Sequence, residues 1–226
     1  MPQMAPIHFA LIEAAASRSG YQTRLLPKVR PEAVELGLRY VNNDACYPAL
    51  LVIGQMLDAL QNGQHDPHKT ALFITQTGGG CRASNYFHLL RKALSRAGYG
   101  YVPVISLNLN GLEKNRGFKL TLPLLLKAIA AFTYGDARMG LCNQVRPYEA
   151  AAGETEALYR SWVDKILAQF RRGKGYDFWK MKRNIGQMAL EFGAIPKKIV
   201  PKIKVGIVGE IYMKYASLGN NDLEAF

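Results

Sequence analysis

Cysteine is scarce. Three residues, Cys46, Cys81 and Cys142, lie far apart in 226, and no two are spaced as CxxC. An odd, dispersed set excludes a disulfide framework and a zinc ribbon. Long apolar runs are lacking too. The longest, Leu120 to Phe132, is broken by Pro123 and Lys127 and falls short of a membrane span. The N-terminus lacks the basic-then-apolar layout of a signal peptide. These absences predict a cytoplasmic protein with no membrane association. The four histidines show no metal-ligand spacing, and no GxSxG nucleophile elbow, GxGxxG fingerprint or P-loop occurs. Acidic residues are few, 17 against 29 Lys and Arg, for a formal net charge of +12.

The excess charge is not spread evenly. Arg160 to Lys204 holds twelve Lys or Arg against three acidic residues. Such a stretch meets nucleic acid, an acidic ligand or an acidic partner, or is only a solvated face. Tyr176, Phe178 and Trp179 stand within it, but no RNA or DNA motif does, so nucleic acid is the weakest of these readings.

Along the chain, Ile7 to Ser19 reads as a helix closed by Gly20. Tyr21 to Leu26 alternates and reads as a strand ending at Pro27. Glu32 to Tyr40 is a short helix. Pro48 to Leu60 is a helix with proline in its first turn and Gly63 just past its end. Thr70 to Thr75 and Tyr101 to Leu107 are buried-strand runs, with a helix from Arg82 to Arg96 between them. Helices follow over 120–143, 154–171 and 178–192. Strands alternating with helices predict a parallel sheet flanked by helices, an α/β class. Ile195 to Lys204 reads as a linker and Val205 to Gly209 as a fresh buried strand. That strand either closes the first sheet or, as favoured here, opens a second α/β domain that the chain does not complete. The expected division is 1–118 as an α/β domain with two cysteine motifs, 119–195 as a helical extension, and 196–226 as linker and first strand.

Two positions carry chemistry. Cys81 follows a strand and the run Gly78–Gly79–Gly80, at the mouth of a helix. Glycines admit close backbone approach, and the free amides of a helix start favour negative charge. A thiolate, the sulfurs of an iron–sulfur cluster and a phosphate all suit that setting. Cys46, in Asn42–Asn43–Asp44–Ala45–Cys46–Tyr47–Pro48, also stands just before a helix. In open parallel sheets two such helix starts converge on the crevice beyond the carboxyl ends of the strands. A lone cysteine is otherwise a small buried hydrophobe, and Cys142, among apolar neighbours, is read that way. Asp44 either hydrogen-bonds the turn as a cap or affects the potential of a bound cluster. Arg82 either neutralises bound charge or lies exposed. Asn85 and Tyr86 line the crevice or, for Tyr86, fill the core. Arg146 and Glu149 are expected to form a structural ion pair.

The motifs Asn42 to Pro48 and Gln76 to Arg82, with Ala83–Ser84–Asn85–Tyr86 after them, resemble the two N-terminal cysteine motifs of the 2-hydroxyacyl-CoA dehydratases. Arg146–Pro147–Tyr148–Glu149 and Val205 to Tyr215 resemble the long branch in which a dehydratase-like region is fused behind activase-like ATPase domains. The resemblance implies a Rossmann-like fold and a [4Fe–4S] cluster held by three cysteines. Cys46 and Cys81 are then metal ligands, and Gly78, Gly79, Gly80 and Arg82 surround the cofactor. The third ligand would come from a following domain. It further implies a low-potential electron from an ATP-dependent activator, and a CoA thioester or other small molecule as substrate, in a lyase or an ATP-driven reductase. A dimer is compatible with it. The alternative is a metal-free module that binds a phosphate of CoA or a nucleotide at the glycine-rich turn.

Overall fold

The structure is a computed structural model that describes residues 1–3, 5–18, 20–26, 30–42, 44–75, 85–107, 118, 121–220 and 223. Among these, the chain is mostly helical, with one small two-stranded parallel sheet. No helix is long and apolar enough to cross a membrane among the described residues. The chain divides into two compact units: Met1–Met4, Arg24–Lys119 and Val208–Phe226 form unit 1, and Ala5–Thr23 with Leu120–Ile207 form unit 2.

Unit 1 is built on α2 (Pro31–Tyr40), α3 (Tyr47–Gln61), β1 (Leu72–Thr75), α4 (Tyr86–Arg96) and β2 (Val104–Leu107), with the short α8 (Ile211–Tyr215) and α9 (Ser217–Asn220). Pro48 sits in the first turn of α3, where its missing N–H costs nothing. Every residue from Pro48 to Leu60 is buried, as expected of a helix apolar on all sides. β1 and β2 run parallel with Leu72 opposite Val104 and Ile74 opposite Ser106. These four residues are buried, so one face of the ladder meets the core, as the pleat requires. The core joins Ile53, Met56 and Leu57 of α3 to Phe87, Leu90 and Leu94 of α4. β1, α4 and β2 thus form one β–α–β crossover.

The α2–α3 contact is backbone on backbone. A Cβ added at Gly54 would collide with the Ala33 carbonyl, and one at Gly37 with the Leu50 carbonyl. The crossing fixes α3, whose N-cap is Cys46. Arg30 clamps it with two hydrogen bonds to the Asp58 carboxylate, and the Gln55 amide donates to the Leu26 carbonyl. Gly54→Ala should therefore destabilise unit 1 by about 1–3 kcal/mol, the usual cost of overpacking. Urea unfolding followed by circular dichroism measures it.

Unit 2 contains α1 (Pro6–Arg18), α5 (Leu122–Val145), α6 (Glu154–Arg171) and α7 (Phe178–Ala194). Thr121 caps α5 and Asp177 caps α7, each side-chain oxygen accepting a backbone amide two or three residues into the helix. Leu11, Ala131, Tyr134, Trp162, Phe170, Met188 and Phe192 fill the core. A polar network crosses it: the Tyr134 hydroxyl donates to the Gly175 carbonyl at 2.7 Å and accepts from Asn184 at 2.7 Å. Burial pushes the Tyr134 phenol up to about 12, so it stays a neutral donor.

Three local expectations are corrected. Tyr21 to Leu26 is not a strand; only Leu26 forms a bridge, to Pro2. The Thr23 hydroxyl instead donates to the Glu13 carbonyl of α1, so the segment is tied to a helix rather than a sheet edge. Val205 to Gly209 is not a buried strand. It is irregular, Val205 and Val208 are 81% and 93% exposed, and it pairs with no strand among the described residues; an unpaired run has no ladder to hold it in sheet form. Arg146 does not pair with Glu149. Its guanidinium lies 3.4 Å from Glu156, because Glu149 is engaged elsewhere.

The Glu149 carboxylate accepts from the amides of Gly153 and Thr155, both at 2.8 Å, at the start of α6. Contact with the Thr155 side chain and those two amides hold it below the usual carboxylate range. A depressed folded-state value means the contribution is present above the unfolded value and is lost as pH falls through the folded one. Glu149→Ala should cost about 1 kcal/mol at neutral pH, the scale of a helix cap. Denaturation of both proteins from pH 7 to pH 3 should show that difference shrinking with acidity.

Candidate functional site

The site lies in unit 1, where α3 and α4 begin. Cys46 is the N-cap of α3, with extended backbone (φ −64°, ψ 149°), and its carbonyl accepts the Ala49 amide at 2.9 Å. Its side chain makes no capping bond, which leaves the sulfur directed elsewhere. Sγ lies 2.9 Å from the hydroxyl of Tyr86, the first residue of α4. Asp44 does not occupy the cap position; it lines the same depression as Cys46. The sulfur, half-buried, borders an open groove of about 190 Å³ formed by residues 42, 44–46 and 49 on one side and Asn85, Tyr86 and Leu89 on the other.

Local sequence explains the arrangement. Asn42 and Ala45 close a turn, with the Ala45 amide on the Asn42 carbonyl at 3.0 Å, and this sets the chain to enter α3 at Cys46. Arg96, at the end of α4, reaches the Asn42 side chain at 3.4 Å. Phe87 and Leu90 anchor the buried face of α4, leaving Asn85, Tyr86 and Leu89 toward the groove. Because β1 and β2 are parallel and α4 returns between them, the start of α4 belongs to the carboxyl-end side of the strands, where ligands of open α/β sheets bind.

Of the residues singled out in the sequence, the structure brings Asp44, Cys46, Asn85 and Tyr86 to one groove. Gly78, Gly79, Gly80, Cys81 and Arg82 lie outside the described residues; Cys81 stands four positions before Asn85 in the chain. Among the described residues, no group of three or more His, Cys, Asp or Glu is arranged to hold a metal ion. Cys142 is in the core of unit 2, and burial pushes its thiol above the ordinary value, as for a small hydrophobe. Leu89 and Ala49 were not foreseen as lining; helical spacing from Tyr86 and Cys46, three residues on in each case, is the signal that points to them.

Chemically, the groove offers one soft sulfur ligand and a phenol within hydrogen-bond distance of it, at the starts of α3 and α4. Thiolate sulfur is the ligand atom that iron–sulfur centres prefer, and the described part of the groove supplies one such atom, Cys46. Comparison of the chain with protein-family models, with curated proteins and with solved structures finds no match to any of them.

Proposed function

We propose that unit 1 is the redox domain of an oxygen-sensitive iron–sulfur protein, in a Rossmann-like setting, with Cys46 and Cys81 as cluster ligands. The observation that carries this reading is the placement of Cys46: a half-buried thiol at a helix start, facing an open groove whose far wall is the segment that follows Cys81. The resemblance of Asn42–Pro48 and Gln76–Arg82 to the cysteine motifs of the 2-hydroxyacyl-CoA dehydratases supports the same assignment. When bound, a [4Fe–4S] cluster supplies one-electron chemistry at low potential, fed by an ATP-dependent activator, to a CoA thioester or another small molecule.

The chain's own part is ligation, orientation and tuning. Cys46 offers its sulfur from the start of α3, with no capping bond to hold it back. Tyr86 donates its hydroxyl proton toward that sulfur, since a ligating thiolate has no proton to give. Hydrogen bonds to ligand sulfur are one of the levers on cluster potential, and losing this one makes the potential more negative. Tyr86→Phe should keep its iron and shift its midpoint downward in a redox titration followed by electron paramagnetic resonance. An unchanged midpoint with full iron would remove Tyr86 from the tuning role.

Anaerobic iron and sulfide analysis of the protein isolated from its native host tests the reading as a whole. Protein that lacks iron and sulfide but binds CoA or a nucleotide would instead support the metal-free alternative, which the two helix starts at the groove also suit.

A further inference from the structure

The strongly basic stretch is not basic for one reason throughout. In unit 2, Arg146 and Arg160 both reach Glu156, and Lys165 reaches Glu191. Those cations are neutralised internally. The corner from the end of α6 into α7 differs. Arg171, Arg172, Lys174, Lys180, Lys182 and Arg183 fall within 13 positions, and none forms an ion pair among the described residues. Five are exposed and Lys180 is half-buried. Phe178 and Trp179 stand among them, 65% and 73% exposed. Large aromatic area held open beside unpaired charge is uncommon on a finished surface.

The pattern continues along α7. Its inner face is set by Asn184, Met188 and Phe192, all buried. The opposite face carries Trp179, Gly186, Leu190 and Gly193 at helical spacing, with Lys182 and Arg183 beside them. Leu190 is 71% exposed. A Cβ added at Gly186 or Gly193 would meet nothing within 4 Å, so neither glycine is required by packing inside the chain. Each nevertheless weakens the helix relative to alanine. Gly186, on an open helix face between Trp179 and Leu190, and Gly193 one turn past Leu190 admit the close approach of another backbone.

We infer that the outer face of α7 is a docking surface for an acidic amphipathic helix of a partner protein. The partner's apolar stripe would lie along Trp179, Gly186 and Leu190, and its flanking carboxylates would meet Lys182, Arg183 and the cations at the α6–α7 corner. Charge complementarity selects an acidic occupant. The apolar row selects a helix over a nucleic acid: Leu190 and the glycines offer no stacking platform. Phe178 and Trp179 meet edge to face at 77°, and Lys182 lies 5.8 Å from the Trp179 ring centre, over the face a base would use.

The test uses the full 226-residue chain and a synthetic helical peptide of about five turns, with leucines on one face and glutamates on both flanks. Fluorescence anisotropy should show saturable binding that weakens as salt is raised. Tryptophan emission should shift to the blue, because Trp162 is already buried and Trp179 is the one that would be covered. Trp179→Ala and the pair Lys182→Glu with Arg183→Glu should each lower affinity about tenfold or more, as for residues at the centre of an interface. Gly186→Leu decides close approach: it should weaken binding while leaving thermal stability equal or higher. Stronger binding by that variant would reduce the surface to nonspecific adhesion and overturn the inference. So would absence of peptide binding, tighter binding of oligothymidylate or of anionic vesicles than of the peptide, or self-association of the chain that Trp179→Ala abolishes.

Discussion

Replacing Cys46 by serine should remove most of the iron of the proposed cluster from the anaerobically isolated protein, and with it the proposed reductive activity. Serine offers a harder oxygen donor in nearly the same volume, and iron in sulfide clusters prefers thiolate. The substitution leaves α3 intact: the Cys46 side chain makes no capping bond, and serine is itself a favoured cap. Loss of iron would then report ligation rather than misfolding. Cys142→Ser is the matched control. Cys142 is 1% exposed in the core of unit 2, so the cost is that of burying a hydroxyl, about 1–3 kcal/mol, and iron content should be unchanged. Colorimetric iron and sulfide assays on the three proteins, with circular dichroism to verify folding, give the comparison.

Phe87→Ala should have the largest effect on stability. Phe87 is fully buried, one residue after Tyr86, with the Arg91 guanidinium 4.3 Å from its ring centre. Truncating a buried phenylalanine costs about 3–5 kcal/mol, a large part of the 5–15 kcal/mol that typically holds a domain together. The urea midpoint should fall accordingly. Because Phe87 anchors the buried face of α4, the groove wall at Asn85, Tyr86 and Leu89 should loosen as well. A variant that still folds should therefore bind iron poorly although every cysteine is present. A shift of less than 1 kcal/mol would mean that α4 is held by contacts other than this ring.

Elements with their own punctuation were legible in the sequence. The proline at position 48 and the glycine at 63 bracket α3, found over Tyr47–Gln61. The runs at Thr70–Thr75 and Tyr101–Leu107 contain β1 and β2, and the expected parallel pairing is present. The helices of 120–143, 154–171 and 178–192 appear within two residues of their expected ends. What failed was judgement about partners. Val205 to Gly209 has the composition of a buried strand, but composition does not report whether a neighbouring strand lies beside it. Arg146 chose Glu156 over the nearer Glu149 because local backbone amides had already claimed the Glu149 carboxylate. Likewise α1 belongs to unit 2 with α5–α7, an association across more than a hundred residues that no local window contains.

At the site, the residue types and the meeting of Cys46, Asn85 and Tyr86 at one crevice were legible; the direct contact of sulfur with hydroxyl was not. Cys46 and Tyr86 were each singled out from separate motifs, yet they are 40 positions apart, and only the fold brings sulfur and hydroxyl to 2.9 Å. The exposed row on α7 is the reverse case. The basic stretch was visible in composition, but the distinction between cations neutralised by Glu156 and Glu191 and those left unpaired at the α6–α7 corner required coordinates.

We propose above all that the Cys46 groove holds an iron–sulfur cluster. Mössbauer spectroscopy of the protein isolated anaerobically from iron-57-grown native cells tests it most directly. The expected spectrum shows the quadrupole doublets of a [4Fe–4S] centre, with acid-labile sulfide in equal amount to iron, both lost in Cys46→Ser. Folded protein with no cluster signal and no labile sulfide, or a cluster that persists undiminished in Cys46→Ser, would contradict it.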